Sequence, residues 1–329
     1  METALPLYLV TGGAGFIGSH LADALLAAGH RVRVLDDFST GSPANLDPRC
    51  DVLRGDVADA AAVRRAMHGV SGCFHLAAVA SVARANEDWL GTHRVNLTGT
   101  IAVLDAARDG GGIPVVYASS AAVYGTVEGV AEEGMRPLPM TAYGADKLGS
   151  EQHARVAALV HGVPSFGLRF FNVYGPRQDP ASPYSGVISI FARRVEERAP
   201  IAVHGDGQQT RDFVYVSDVV AHLVAAMRHL SPGRVGPVPG APVPGAHVAN
   251  VCTGRETSVL ELVRTLGDLS GHVPSVVHGP ARPGDIRRSV GSPAHAASVL
   301  GVRAGVRLRD GLDATLGGLR ALSPLCQSA

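Results

Sequence analysis

Apolar positions along the chain follow two alternating rhythms. Short runs rich in Val, Leu, Phe and Tyr recur between longer stretches in which Ala and Leu repeat at helical spacing. The short runs predict strands at Tyr8–Val10, Val32–Leu35, Val52–Arg54, Gly72–Leu76, Val115–Ala118 and Ser165–Phe170. Between them, His20–Ala28 and Ala60–Met67 read as helices, and Gly29-His30 stops the first as a C-terminal glycine does. Strands separated by helix-length segments are the signature of βαβ units, a parallel sheet covered on both faces. The expected fold class is α/β, a doubly wound parallel sheet.

After Gly175 the pattern turns irregular and richer in proline, with helix-like pieces at Val187–Glu197 and Val219–His229. Ser231–Ala246 holds five prolines and four glycines and reads as a surface loop or linker. Ser258-Val259-Leu260-Glu261 is a capping box that starts a further helix. No internal repeat is found. Two domains are expected, the first spanning 1–172 with a return segment at about 212–250. The second, a smaller α/β domain, takes 173–211 and 251–329.

Composition narrows the function classes. Lys and Arg total 29 and Asp and Glu total 29, which removes a global electrostatic case for nucleic acid or an anionic membrane. With 46% hydrophobic and 18% charged residues, neither disorder nor coiled coil fits. Cys50, Cys73, Cys252 and Cys326 are scattered without a Cys-x-x-Cys pair, so neither a disulfide framework nor a metal site is expected. The run Leu5–Val10 has no basic flank and leads into a glycine turn, which makes it a first strand rather than a signal peptide. No apolar stretch is long enough to span a bilayer, and a cytoplasmic location is expected.

The chemistry begins at Gly12-Gly13-Ala14-Gly15-Phe16-Ile17-Gly18. Gly12, Gly15 and Gly18 lie between a strand and a helix, where backbone must approach a pyrophosphate and a helix must present free N–H groups to it. Such a triplet alone fits a plain tight turn. Here the next strand ends in Asp36-Asp37, acids that accept from ribose hydroxyls and repel a 2′-phosphate, so NAD is expected over NADP. Asp56, after the third strand, fits either a contact to adenine or a solvated turn.

Tyr143 and Lys147 stand four residues apart, on one helix face. A phenol needs a neighbouring positive charge to serve as a base near neutrality, and Lys147 supplies one. Ser119-Ser120 follows the strand Val115–Ala118, at the carboxyl edge where parallel sheets carry their chemistry. A hydroxyl there shares the hydrogen bond of a substrate alcohol. The alternative is helix N-capping, which fits Ser119 better than Ser120.

Taken together, these motifs resemble the extended short-chain dehydrogenase/reductases with a Rossmann-type sheet, and most of all the UDP-glucose (UDP-galactose) 4-epimerase group. The resemblance runs from Val10 to about Val290. It includes Gly55-Asp56-Val57, His75-Leu76-Ala77-Ala78, Asn96-Leu97-Thr98-Gly99-Thr100, Arg169-Phe170-Phe171-Asn172-Val173-Tyr174-Gly175-Pro176-Arg177, Arg211-Asp212-Phe213-Val214-Tyr215 and Arg282-Pro283-Gly284-Asp285. It implies that Ser120 and Tyr143 handle the sugar 4-hydroxyl and that Lys147 binds the nicotinamide ribose. Asp56 and Val57 would flank adenine, and Ala77 and Ala78 would line ribose and pyrophosphate. Phe16, Ile17, Leu76, Asn96, Ser119 and Phe170 complete the implied NAD contacts.

The same resemblance implies that Asn172, Val187, Arg211, Arg282 and Asp285 hold the nucleotide diphosphate, arginine being suited by its planar fork. The bland alternative for Arg211 is an ion pair with Asp212 or Asp218, and His75 reads as a packed strand residue. Ser289 stands where some of these epimerases carry a bulky tyrosine, so a 2-acetamido sugar is expected to fit. Ser81 and Arg84 match the N-acetyl-accepting branch. The implied activity is C4 inversion of a UDP-hexose through a 4-keto sugar, by a homodimer joined along Asn96–Ala107 and Ala142–Leu159. Three rivals would look different. A 4,6-dehydratase would carry Asp-Glu where Ala121 and Ala122 stand. A uronate epimerase or decarboxylase needs a cation at the sugar carboxylate; uronate epimerases carry Thr and Arg at Asn172 and Asp179, which argues against that substrate, though Arg84 or Arg193 could supply the charge. An NAD-sensing scaffold would have lost Tyr143 or Lys147.

Overall fold

The computed structural model describes residues 5–179, 186–231, 245–281 and 286–322. The chain opens with β1 (Leu7–Thr11), α1 (Phe16–Ala27), β2 (Arg31–Asp36), β3 (Asp51–Arg54), α2 (Ala60–Met67) and β4 (Gly72–His75). Next come α3 (Val82–Glu87), α4 (Trp89–His93), a π-helical turn over Arg94–Thr98, α5 (Gly99–Asp109), β5 (Val115–Ser120), α6 (Ala142–His161) and β6 (Ser165–Phe170). The remainder comprises β7 (Asn172–Tyr174), α7 (Val187–Glu196), β8 (Ile201–His204), β9 (Thr210–Arg211), β10 (Phe213–Tyr215), α8 (Val216–Leu230) and β11 (Ala246–Val251). It ends with β12 (Thr257–Ser258), α9 (Val259–Ser270), β13 (Val276–Gly279), β14 (Arg288–Ser289), α10 (Ala294–Leu300) and α11 (Leu308–Leu322).

Seven parallel strands form the main sheet in the order β11-β6-β5-β4-β1-β2-β3. Side chains alternate across it as the strand period demands. Leu7 and Leu9 enter a core with Val63, Met67, Val103 and Leu104 from α2 and α5. Val10 joins Leu21, Leu25, Phe74 and Leu223 on the other face, under α1 and α8. Burial on both faces explains why the strands read as continuous apolar runs. After β3 the chain returns past β1 to place β4 on its other side. That reversal opens a crevice at the carboxyl ends of β1 and β4, the general place for a ligand in such sheets.

A separate core gathers Tyr174, Ile188, Phe191, Ile201, Leu262, Leu266, Leu312 and Leu316. Its strands pair in small sheets, β10 with β7, β13 with β8, and β9 between β12 and β14. Strand and helix expectations hold closely, with three shifts. Helix α1 begins at Phe16 rather than His20, because the glycine turn itself becomes its first turn. Strand β5 runs on through Ser119 and Ser120. Helix α8 begins at Val216. Arg282, Asp285, Cys326 and most of the Pro/Gly-rich segment (232–244) lie outside the described residues. Among the described residues, no helix is long and apolar enough to cross a membrane.

Candidate active site

The glycine turn is shaped by close approach. Gly12 has φ +68°, and a Cβ there would lie 2.7 Å from the backbone nitrogen of Ala77. A Cβ on Gly18 would lie 2.2 Å from the carbonyl oxygen of Gly12. A side chain at Gly12 would strike the loop after β4, and one at Gly18 would strike the turn itself. Gly15 is the N-cap of α1 and provides no side-chain cap, so the first-turn N–H groups retain their capacity for an acceptor. This cradle fits a dinucleotide pyrophosphate.

Asp36, at the end of β2, fastens the turn. Its carboxylate accepts from Ala14 N at 2.9 Å and from Phe38 N at 2.8 Å. Burial raises its pKa, and those two backbone N–H groups pull it back. Asp37 is exposed and its Oδ1 accepts from the N–H and hydroxyl of Ser39, so Asp36 is the acid that adjoins the turn. Asp56 accepts from Ala58 N at 2.8 Å and is ion-paired with Arg94. Val57 is buried against Gly99, where a Cβ would come within 2.7 Å of Val57 Cγ1.

The loop after β4, which carries Leu76, Ala77 and Ala78, is braced from two sides. Asn96, buried in the π-helical turn, accepts from Val79 N at 2.8 Å and donates to Val79 O at 3.2 Å. His75 is buried between Thr11 Oγ1 at 2.8 Å and Thr100 Oγ1 at 3.0 Å. Burial, and secondarily the charge of Lys147, pushes its pKa down to about 3. A neutral, doubly bonded imidazole ties β1, β4 and α5 together, as a packed strand residue should.

Tyr143, Lys147 and Ser120 converge at the carboxyl end of β5. Thr141 caps α6 by accepting from Gly144 N at 3.0 Å. Gly144 lies so near the turn after β5 that a Cβ would be 2.6 Å from Ala122 O, which brings the start of α6 against Ser120. Lys147 Nζ lies 5.8 Å from the centroid of the Tyr143 ring and donates to Ala118 O at 2.9 Å. Burial lowers the Lys147 pKa to about 8, opposed by the charge of Asp146. Burial raises the Tyr143 phenol, and a hydrogen bond with Ser120 draws it back down. An ammonium one turn away and a hydroxyl at the phenol form the arrangement a tyrosine base needs.

The two serines exchange their expected capping roles. Ser120 Oγ accepts from Ala122 N at 3.1 Å and caps the short helical turn Ala121–Val123. Ser119 is buried on the strand's other side and donates to Glu151 Oε1 at 2.6 Å. The reason is alternation: once β5 extends through both residues, their side chains must point to opposite faces.

Of the residues expected at the substrate, Ser81 is buried and caps α3 by accepting from Arg84 N at 3.1 Å, while Arg84 is exposed. Phe170 is buried at the end of β6. Asn172 opens β7, its N–H bonded to Asp212 O at 3.0 Å, and Val187 opens α7. Arg211 donates to Thr210 O at 2.8 Å and Ile286 O at 2.7 Å, with Ser289 beside it in register. Asp212 accepts from the N–H groups of Thr253 and Gly254, and Asp218 from those of Gly305 and Val306. Sequence reasoning missed the buried pair Arg169–Glu151 and the cap Thr141. The spacing Tyr143, Lys147, Glu151, one residue per helical turn, was its only signal.

Comparison with known proteins places these features in a family. Residues 8–238 match the NAD dependent epimerase/dehydratase family, described as Epimerase. The chain is 36% identical over 316 residues to a UDP-glucose 4-epimerase of Mycolicibacterium smegmatis, covering 94% of this chain and 96% of that protein. A UDP-glucose 4-epimerase of Thermus thermophilus, solved with NAD, shares 36% identity at TM-score 0.86, covering 96% of this chain and 100% of that one. Another from Thermotoga maritima, solved with UDP-glucose, shares 33% at TM-score 0.88, covering 96% and 99%. A nucleotide cradle after β1, a tyrosine–lysine–serine group after β5 and this likeness over nearly the whole chain agree: the protein is a member of the NAD dependent epimerase/dehydratase family.

Proposed function

We propose that the protein is an NAD-dependent UDP-sugar 4-epimerase, an isomerase that inverts C4 of UDP-glucose and UDP-galactose. The observation that carries the reading is the meeting of Tyr143, Ser120 and Lys147 beside a cradle that only glycines leave open. Ala121 and Ala122 follow the catalytic hydroxyl, so no acid–base pair for C5–C6 elimination stands there.

In this reading Tyr143, as phenolate, takes the proton of the sugar 4-hydroxyl, and Ser120 hydrogen-bonds that hydroxyl to orient it. The Lys147 ammonium favours the phenolate and reaches the nicotinamide ribose. NAD, when bound, supplies reversible oxidation at C4. Gly12, Gly15, Phe16, Ile17 and Gly18 hold its pyrophosphate, Asp36 and Asp37 its adenosine ribose, and Asp56 and Val57 its adenine. Leu76, Ala77, Ala78, Asn96 and Phe170 enclose the remainder, whereas the Ser119 hydroxyl, expected among these contacts, is turned to Glu151 instead. Arg211, with Asn172, Val187, Arg282 and Asp285, grips the UDP diphosphate bidentately. Inversion requires the 4-keto sugar to turn about its phosphate linkage, so that the hydride taken from C4 would come back to the opposite face of that carbon while Tyr143 gives the proton back to O4.

Ser289, a small residue in register with Arg211, supports acceptance of 2-acetamido sugars beside Ser81 and Arg84. Exposed Ile101 on α5 and Val156, Leu159 and Val160 on α6 support a homodimer through these helices. A cytoplasmic location belongs to the same proposal. Incubation with a panel of UDP-sugars, read by NMR, tests the activity. Galacto- and gluco-configured products interconvert if the reading is right. Products altered at C6, products lacking a carboxyl carbon, or no turnover by protein that retains NAD would overturn it.

A further inference from the structure

Tyr143, Lys147 and Glu151 follow one another at four-residue spacing on one face of α6. Each meets the carboxyl end of β5. Tyr143 hydrogen-bonds Ser120, Lys147 donates to Ala118 O at 2.9 Å, and Glu151 Oε1 accepts from Ser119 Oγ at 2.6 Å. The Glu151 carboxylate is in turn held in a fork by Arg169 of β6, with Nε to Oε1 at 2.9 Å and Nη2 to Oε2 at 2.7 Å. Arg169 stands opposite Ser119 in the β5–β6 ladder.

Both members are buried, Arg169 at 3% and Glu151 at 8% exposure. The network continues across the sheet. Arg169 Nη1 donates to the Tyr124 hydroxyl at 2.9 Å, which donates to Asn250 Oδ1 of β11 at 2.7 Å. A helix and three adjacent strands are thereby joined behind the phenol. A buried ion pair is a weak source of net stability, because two charges must leave water to form it. What an arginine fork on a carboxylate does supply is a fixed distance and direction. Here that fixed geometry lies one helical turn beyond Lys147 and one residue from Ser120.

We propose that Glu151 and Arg169 are positioning residues for the reaction: they set the rotation and height of α6 over β5, so that Tyr143 meets Ser120 and Lys147 lies beneath the phenol. The proposal rests on the epimerase reading of the site. Removing one partner would strand a buried charge, so the informative variants change both or shorten one. In E151L/R169M the volume is kept and both charges go, a replacement buried pairs tolerate. In E151D the charge stays but ends one methylene short of Ser119 and Arg169.

The expected result is folded protein with KM within about twofold of the parent and kcat lower by about 10- to 100-fold, the scale of a small misplacement of reacting groups. Titration of Tyr143, followed in the ultraviolet tyrosinate band with Tyr143→Phe subtracted, should move to higher pH in both variants. A structural pair would alter melting temperature alone. Parental kcat and an unmoved Tyr143 titration in either folded variant would overturn the proposal. Should the parent itself fail to epimerise UDP-sugars, the activity reading fails, and the Tyr143 titration decides this proposal by itself.

Discussion

Lys147 carries opposing demands at the scale of one residue. Burial pulls its pKa down to about 8, yet the proposed mechanism asks its charge to favour the Tyr143 phenolate. The ammonium is present below about pH 8 and lost above it, so the sign of the pH effect is fixed: kcat should decline as pH rises through that value. Ionisation of the phenol works the other way, and the profile should be bell-shaped. Lys147→Met should lower kcat by about 10²- to 10⁴-fold, the usual share of a positioned acid–base group, and move the remaining rate to higher pH. Tyr143→Phe should lose a similar factor at every pH while retaining NAD. A pH–rate series on the three proteins checks both statements. An unchanged alkaline limb in Lys147→Met would remove Lys147 from the mechanism.

Among elements, the turn between β1 and α1 is the least tolerant. Gly18 is already within the helix, and its missing Cβ leaves room for Gly12 O. Gly18→Ala should push α1 away from the turn, and the purified protein should carry little or no bound dinucleotide when denatured and analysed by chromatography. Gly29→Ala makes the comparison, since nothing lies within 4 Å of a Cβ there and only its φ of +81° resists the change. That variant should lose some stability and keep its nucleotide.

The glycine turn was legible in the sequence because its constraint is local: strand, turn and helix are contiguous. Strands were legible because burial on both faces leaves an apolar run. The start of α1 was not, since Phe16 to Ser19 read as loop until the helix is seen to begin inside the glycine motif. Ser119 and Ser120 could be told apart only when β5 was seen to extend through them. Arg169 and Glu151 belong to different elements: helical spacing puts Glu151 on the same face as Lys147, but nothing along β6 announces the arginine that meets it.

For the whole molecule, the decisive surface lies on α5 and α6. Val160 is 68% and Leu159 57% exposed, large aliphatics that a solitary chain would leave in water. Light scattering after gel filtration should give twice the 33.9 kDa of the chain. Ile101→Glu combined with Leu159→Glu should return it to a single-chain mass, because two carboxylates would then have to leave water at the interface. A single-chain mass for the unmodified protein would remove the homodimer.

Strand β11 bears on how the chain is born. It pairs with β6 along six residues and closes the outer edge of the main sheet, yet it comes from residues 246–251, beyond the segment that matches the family. On the ribosome, six strands can assemble while β6 still shows a bare row of backbone donors and acceptors, with Phe166 and Leu168 alongside. Such an edge recruits other chains. The nascent protein therefore passes through a sticky interval that ends only when Val251 has emerged, and any cut or stop before that point would leave an aggregating fragment rather than a smaller enzyme.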